Sequence, residues 1–393
     1  MRISIGRTRR THDEEPDQAH VGWLELYFDL VFVVSFIQLG NVLAEDVSWH
    51  GAARFAAVFV LLSWTWLGTT VYFGRFYAND IWHRTLVFAQ MLTVANMAVL
   101  VDGAFGAHVQ GFLLSFVANQ AILAVMYLRA YRSLDEDRSA IARVATVIGA
   151  SAAVILISAF VPPPWRYGLW LVGFLITFNP PVLKSYMAFG GRLEIPQKYL
   201  SERLGLFTII VLGESFIKTV SALSEQPLLL PFPISEVFGG LCFIVAASMW
   251  WTYFDDVAKA RLKPGLMNLQ IVLYAHLPLT MGITAFGVST KKLVLLEMGS
   301  PIPVPYLWLT ALSVSITMLA VAVIDAVPRT NDDPARVVAR VWPRVISAIA
   351  LLVIAGFGAG LPAEVSLSLV AAVCVAQILI ESHQLRRYGP AVQ

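Results

Sequence analysis

Long apolar stretches alternate with short polar segments along the whole chain, and this pattern predicts helices that cross a membrane. A helix needs about 20 apolar residues to span the hydrocarbon core of a bilayer. Twelve stretches approach this length, and segments rich in proline, glycine and charge separate them. The predicted spans are 23–44, 53–73, 85–103, 109–129, 144–162, 167–187, 204–223, 237–254, 268–289, 305–325, 344–360 and 363–382.

The composition supports the same class of protein. Of the 393 residues, 58% are hydrophobic and only 14% are charged, whereas soluble domains carry about 25% charged residues. Lipid is therefore expected to be the main partner of this surface. Cys242 and Cys374, the only two cysteines, lie in apolar runs. This position argues against a disulfide framework or a thiolate metal site, and neither a metal nor a cofactor is predicted.

The distribution of positive charge predicts the orientation of the spans. With the N-terminus in the cytoplasm, the 28 Lys and Arg residues fall almost entirely in cytoplasmic segments. The exceptions are Arg54, Arg166, Lys291 and Lys292 outside, and Lys218 within a span. This positive-inside bias favours an even number of crossings with both termini in the cytoplasm. Because orientation accounts for the basic loops, no nucleic-acid partner is expected.

Weak self-similarity predicts an internal duplication. Ser35-Phe36-Ile37-Gln38 in the first span matches Ser215-Phe216-Ile217-Lys218 in the seventh. Six spans in each repeat would give both halves the same orientation in the membrane, a parallel repeat with a natural site between the halves. The predicted divisions are a cytoplasmic tail at 1–22, a first six-helix repeat at 23–190, a second at 191–387 and a tail at 388–393.

The first span contains two acidic residues. Glu25 and Asp29 are four positions apart, so their carboxyl groups share one helical face. Charged groups inside a membrane are costly and usually face a protein interior, where they carry a function or meet a partner. The plainer interpretation places Glu25 among lipid headgroups and lets Asp29 cap a helix or pair with a loop arginine.

The seventh span carries an acid and a base, Glu214 near its middle and Lys218 one turn further along. A local ion pair would lower the cost of inserting both residues. Two apolar residues would insert more easily still, so the charges also indicate a polar interior around Glu214. A carboxyl group in that position could carry protons.

Further candidates are weaker. Glu202 and Arg203 open the seventh span and could form an interfacial pair. Asp255 follows an aromatic segment at the end of the eighth span, where aromatic residues typically mark the membrane interface. His276 lies within the ninth span beside Pro278. This histidine could be a hydrogen-bonded interior residue or part of a proton relay.

These motifs are similar to those of the bacterial low temperature requirement A (LtrA) family. The segment 25–32 (ELYFDLVF) resembles the opening motif of that family, and 202–207 (ERLGLF) through 212–215 (LGES) resembles the second. The segments around Trp251 and His276 are similar to later motifs. The resemblance implies a multi-pass protein of the bacterial inner membrane, and it strengthens the same candidate residues without assigning their roles. The family usually has a histidine three positions before the Glu-Arg pair, where this chain has Tyr199.

Three functional hypotheses remain open from the sequence. The first is a secondary transporter or permease, in which Asp29 and Glu214 bind protons or a cationic group and Lys218 tunes Glu214. The second is an intramembrane enzyme that protonates a lipid or isoprenoid substrate with a carboxylic acid. The third is a non-catalytic membrane component or sensor in cold adaptation. The chain has no Walker P-loop, and its oligomeric state is not predictable from the sequence.

Overall fold

The computed structural model describes residues 9–10, 21–78, 80–134, 138–178, 195–224, 234–257, 262–330 and 333–386. Twelve α-helices form within these ranges, which confirms the all-α class. They are α1 (Trp23–Glu45), α2 (Trp49–Arg75), α3 (Ile81–Val99), α4 (Val109–Ser133), α5 (Arg138–Ser158), α6 (Trp165–Thr177), α7 (Gln197–Ser224), α8 (Ile234–Thr252), α9 (Leu266–Leu293), α10 (Val304–Asp325), α11 (Pro334–Phe357) and α12 (Ala363–Arg386).

Two smaller elements accompany the helices. A π-helix, Tyr253–Val257, continues from the end of α8. Two strands of two residues each, β1 (Arg9–Arg10) and β2 (Phe76–Tyr77), pair antiparallel. Helices dominate because an apolar segment in a bilayer must satisfy its main-chain hydrogen bonds internally, and an α-helix does so within one segment.

Ten of the twelve helices are long and apolar enough to cross a membrane, judged by length and composition over the described residues. Polar residues, including His83, Arg84 and Gln90, lower the hydropathy of α3. Helix α6 has 13 residues, a length of about 20 Å at 1.5 Å per residue. The predicted sixth span runs on to residue 187, and its final part lies outside the described residues. The chain is thus a multi-pass membrane protein, while crossings by α3 and α6 stay predictions.

The chain divides into two compact units. The first comprises residues 1–42 and 54–203, and the second comprises 43–53 and 204–393. The domain boundary predicted at residue 190 lies outside the described residues, and the six-plus-six repeat and the cytoplasmic position of both termini also stay predictions.

In the first unit, α3, α4, α5 and α6 pack consecutively against one another. Aromatic side chains fill the contact between α1 and α2, where Phe36 stacks on Phe59 with ring centroids 4.4 Å apart. The loop before α3 supplies its N-cap, because the Asp80 carboxylate accepts a hydrogen bond from the His83 main-chain N–H at 3.0 Å.

In the second unit, α10 packs against α8, α9 and α11, and α12 packs against α8 and α11. Glycine allows α9 and α10 to approach each other closely. A Cβ atom on Gly282 of α9 would lie 2.6 Å from the Ser313 main-chain oxygen of α10. Small residues at helix contacts of this kind are typical of membrane proteins, because they let two backbones come close together.

Candidate functional site

A buried group of polar side chains in the first unit surrounds Arg203, near the start of α7. We call this group the Arg203 cluster. It consists of Glu25 and Asp29 from α1, Trp66 and Thr70 from α2, and Tyr199 and Arg203 from α7.

The guanidinium group of Arg203 contacts both carboxylates of α1. Its Nη2 lies 2.8 Å from Asp29 Oδ1, and its Nη1 lies 2.5 Å from Glu25 Oε2. Its Nε donates a third hydrogen bond to Thr70 Oγ1 at 3.1 Å. The spacing of Glu25 and Asp29 along α1 therefore places two acids where one planar, five-donor side chain reaches both.

Two other donors fix the carboxylates. Trp66 Nε1 donates to Asp29 Oδ1 at 2.7 Å, and the Tyr199 hydroxyl donates to Glu25 Oε2. The second oxygen of Asp29, Oδ2, is buried and accepts no hydrogen bond from any described residue. A buried carboxylate oxygen without a hydrogen-bond donor is costly, because the protein does not replace its lost hydration.

The burial of the Arg203 cluster decreases toward Glu25. Asp29 and Arg203 are completely buried, whereas the Glu25 side chain is 20% exposed. Two carboxylates facing one guanidinium give the cluster a formal surplus of one negative charge. The arrangement can therefore bind one further positive charge, either a proton or another cation, and Glu25 gives the cluster an exposed edge.

Aromatic rings cover the guanidinium. The Arg203 Cζ atom lies 5.2 Å from the ring centroid of Phe73 and 5.9 Å from that of Trp66. Cation–π attraction strengthens when the cation is desolvated, so these rings help to hold Arg203 in its buried position. The sequence suggested an interfacial pair between Glu202 and Arg203. Arg203 is instead fully buried and pairs with Glu25 and Asp29.

In the second unit, Glu214 and Lys218 form the ion pair that their spacing on α7 predicted. Lys218 Nζ lies 2.9 Å from Glu214 Oε1. Both side chains are largely buried, with exposures of 4% for Glu214 and 13% for Lys218. Asp29 belongs to the first unit and Glu214 to the second, so a site shared by these two carboxylates stays a prediction.

His276 of α9 makes two hydrogen bonds, as the hypothesis of an interior histidine expects. Its Nδ1 lies 2.6 Å from the Val272 main-chain oxygen, which can only accept, so Nδ1 carries the hydrogen. Nε2 then accepts from the Tyr253 hydroxyl at 2.8 Å. Both ring nitrogens are thereby engaged in a buried setting.

Glu202 is half-buried, and Asp255 is exposed on the π-helix that follows α8. Both make interactions with other residues, but neither belongs to the Arg203 cluster. Among the described residues, no three His, Cys, Asp or Glu side chains come together as a metal-binding group.

A second buried ion network, in the second unit, was missed from the sequence. Arg344 of α11 is fully buried and pairs with Asp325 of α10 and with Glu381 of α12, the latter at 2.7 Å. Asp325 also pairs with Arg329, and Gln377 donates to Glu381 at 2.6 Å. Each acid of the Arg344 network thus contacts an arginine, and Asp325 contacts two, whereas in the Arg203 cluster two acids contact the same arginine.

A signal for this network was present in the sequence. Asp325 and Glu381 each lie at the end of an apolar run, in the same way that Asp29 lies near the start of one. The positive-inside count places Arg329 and Arg344 in cytoplasmic segments, so it does not predict their pairing with Asp325 and Glu381.

Another ion pair of the first unit involves the loop before α3. Asp80, the N-cap of that helix, pairs with Arg129 of α4. Burial acts to raise the pKa of Asp80, but hydrogen bonds from Arg129 and the His83 main chain prevail and hold this pKa below its usual range.

Ten helices long and apolar enough to span a membrane, together with buried charge clusters, define a polytopic α-helical membrane protein. The family model for bacterial low temperature requirement A protein (LtrA) matches residues 20–379, so the chain belongs to this family. The chain is also 28% identical over 331 residues to the uncharacterized protein RA0937 of Rhizobium meliloti (strain 1021). This match covers 76% of this chain and 79% of the relative.

Proposed function

We propose that the protein is a secondary transporter in which the Arg203 cluster binds the coupling cation, a proton or another positive ion. The observation that carries this proposal is the unequal charge of the cluster. Glu25 and Asp29 share the single guanidinium of Arg203, and Asp29 Oδ2 has no partner among the described residues.

A purely structural ion pair would be expected to balance its charges, because an uncompensated buried charge is strongly destabilising. In the Arg344 network of the same chain, the acids Asp325 and Glu381 contact two different arginines, Arg329 and Arg344. The surplus carboxylate of the Arg203 cluster departs from that expectation. A cation that binds reversibly would remove the imbalance, and the exposed edge at Glu25 offers a route for exchange.

The proposal changes the role of two predicted residues. Glu214 and Lys218 form a balanced local pair, so they are assigned a role in the stability of α7 rather than in coupling. The lipid enzyme and the cold-adaptation sensor stay alternatives from the sequence, and no contact among the described residues favours either one.

The test uses the full-length protein in proteoliposomes on a solid-supported membrane, where fractionated cytoplasmic and medium extracts are exchanged over the surface. Wild-type protein should give a solute-evoked current that Asp29→Asn abolishes, since the neutral amide no longer supplies the surplus charge. Asp102→Asn is the matched control, because Asp102 is an exposed carboxylate in the loop after α3. A wild-type current that Asp29→Asn leaves unchanged would exclude the cluster from coupling.

A further inference from the structure

The two carboxylate oxygens of Asp29 lie in different surroundings. Oδ1 accepts two hydrogen bonds, from Trp66 Nε1 at 2.7 Å and from Arg203 Nη2 at 2.8 Å. Oδ2 is buried and accepts none from the described part of the chain. Because Asp29 as a whole is completely buried, Oδ2 is the atom at which this residue can still gain a partner.

This difference does not depend on where hydrogen atoms are placed. The indole of Trp66 and the guanidinium of Arg203 can only donate, so neither contact can reverse its direction. Turning the Asp29 carboxylate by half a turn exchanges the labels of its two oxygens, and one of them still receives both donors. The unpartnered oxygen therefore follows from the positions of α1, α2 and α7.

The other oxygens of the Arg203 cluster are poorly placed to help bind a metal ion. Calcium, for example, takes about six to eight oxygen ligands. Thr70 Oγ1 already accepts from Arg203 Nε at 3.1 Å. Glu25 Oε2 accepts from Arg203 Nη1 and from the Tyr199 hydroxyl. The hydrogens of these donors repel a metal ion, so the cluster favours a ligand that needs no coordination shell.

A proton meets this requirement. It binds Asp29 Oδ2 through one covalent O–H bond and leaves both hydrogen bonds at Oδ1 in place. The resulting carboxyl group is neutral, so Glu25 and Arg203 remain as a pair of equal and opposite charge. The O–H group has no acceptor among the described residues, but an unpaired neutral group costs less to bury than an unpaired charge.

The ionisable groups around Asp29 act on its protonation in opposite directions. From α7, the positive charge of Arg203 favours the carboxylate, whereas Tyr199 is neutral because its hydroxyl donates to Glu25. From α1 itself, the negative charge of Glu25 favours protonation of Asp29. Helix α2 contributes an indole and a hydroxyl group, neither of which titrates. Glu25 is thus the group that offsets the effect of Arg203.

We infer that Asp29 takes up a proton at Oδ2 and that Glu25 relays this proton between Asp29 and water. Glu25 is 20% exposed and lies four residues before Asp29, about 6 Å along the helix axis. A hydronium ion protonates Glu25 and leaves as water, and the proton then passes to Asp29, which restores the Glu25 carboxylate. Release reverses both steps.

The inference rests on the proposed function only in making this proton the coupling ion, in place of a metal cation. The proton site itself is independent of whether the protein transports anything.

Infrared difference spectroscopy of the full-length protein in nanodiscs tests the inference, because a protonated carboxyl group has a carbonyl stretching band that a carboxylate lacks. Ether-linked lipids are used, since they have no ester carbonyl group. Spectra are recorded as the pH is lowered, in sodium chloride and in choline chloride at the same ionic strength. The test variants are Asp29→Asn and Glu25→Gln, and Asp102→Asn is the matched control at an exposed carboxylate.

Wild-type protein should gain a band at a higher frequency than that of solvent-exposed carboxyl groups, because the Oδ2 hydrogen has no acceptor among the described residues. Asp29→Asn should lose this band and Asp102→Asn should keep it. Glu25→Gln should keep the band but weaken proton binding about tenfold, since the neighbouring negative charge is gone. The band should titrate in the same way in sodium and in choline.

Isotope labelling of the wild-type protein gives a second measurement that needs no variant to fold. Aspartate carrying carbon-13 at its side-chain carboxyl should lower the frequency of the band, because the heavier carbon vibrates more slowly. Glutamate labelled in the same way should leave the band where it is.

The inference is overturned if wild type shows no such band at any pH, if labelled aspartate does not shift it, or if folded Asp29→Asn retains it. Displacement of the proton by sodium would overturn the preference for a proton over a metal ion, and a Glu25→Gln variant that binds protons as wild type does would overturn the part played by Glu25. The result separates the two proposals. The band without a solute-evoked current would remove the transporter and keep the proton site, whereas a current that depends on Asp29 without the band would overturn the proton site and keep the transporter.

Discussion

Replacing Arg203 should destabilise the protein more than replacing any exposed arginine, and the extent depends on what the new side chain can still contact. Arg203→Gln removes the charge that faces Glu25 at 2.5 Å and Asp29 at 2.8 Å. Arg203→Lys keeps the charge, but the compact ammonium group cannot reproduce the planar fork that reaches both acids and Thr70 together.

The magnitudes follow from these contacts. Breaking a buried ion pair by removing one partner costs about 3–5 kcal/mol, so Arg203→Gln should lower the free energy of unfolding by that amount. Arg203→Lys should cost about 2 kcal/mol, from the lost hydrogen bond to Thr70 and the weaker contact with the Phe73 ring. Arg54→Gln is the matched control, since Arg54 is exposed and lies over the Phe105 ring, and surface changes stay within about 0.5 kcal/mol.

A double-mutant cycle that combines Arg203→Gln with Asp29→Asn isolates the interaction between Arg203 and Asp29. Asp29→Asn removes one of the charges that Arg203→Gln leaves unpaired. The double variant should therefore lose less free energy of unfolding than the two single variants together, by about 2 kcal/mol. The free energy of unfolding is measured by steric trapping in lipid bicelles. An Arg203→Gln variant within about 1 kcal/mol of Arg54→Gln would refute the assignment of a buried ion pair.

Three further predictions concern single contacts. Tyr199→Phe should lower the free energy of unfolding by about 1–2 kcal/mol, because the hydrogen bond to the Glu25 carboxylate is missing. The same trapping method measures this loss, and an unchanged free energy would contradict the hydrogen bond. Glu214→Gln should destabilise more than Glu214→Gln combined with Lys218→Met, because the single change leaves a buried ammonium group unpaired, and additive losses would contradict the pair. Asp80→Asn keeps the helix cap and removes the charge, so it should lower the melting temperature at neutral pH. Since the folded-state pKa of Asp80 is below its ordinary 3.8, this difference should shrink as the pH falls below that value, and a difference independent of pH would contradict it.

The helical fold was largely predictable, because apolar length and helix content are linked in a bilayer. The helix bounds were harder to predict where charge is buried. The span predicted from residue 344 belongs to a helix that begins at Pro334, and the span predicted from 204 belongs to one that begins at Gln197. Hydropathy ends a span at the first arginines, whereas Arg203 and Arg344 are buried beside carboxylates and their helices continue past them.

The candidate site was predictable only on the side of α1. Helical periodicity alone puts Glu25 and Asp29 on one face. Their partner Arg203 is 174 residues away from Asp29 in the sequence, and such a pairing depends on which helices are neighbours, which a local pattern does not encode. The same limit applies to Arg344 and Glu381, which come from different helices.

Coupling through Asp29 is the central claim, and accumulation of the transported solute tests it most directly. Proteoliposomes are given an inward cation gradient and the solute fraction that evokes the wild-type current, and the internal solute concentration is followed to its plateau. Wild type and Asp102→Asn should accumulate the solute above its external concentration. Asp29→Asn should only equilibrate it, because the carboxylate that binds the driving cation is gone. Accumulation by Asp29→Asn to the wild-type level would contradict the account.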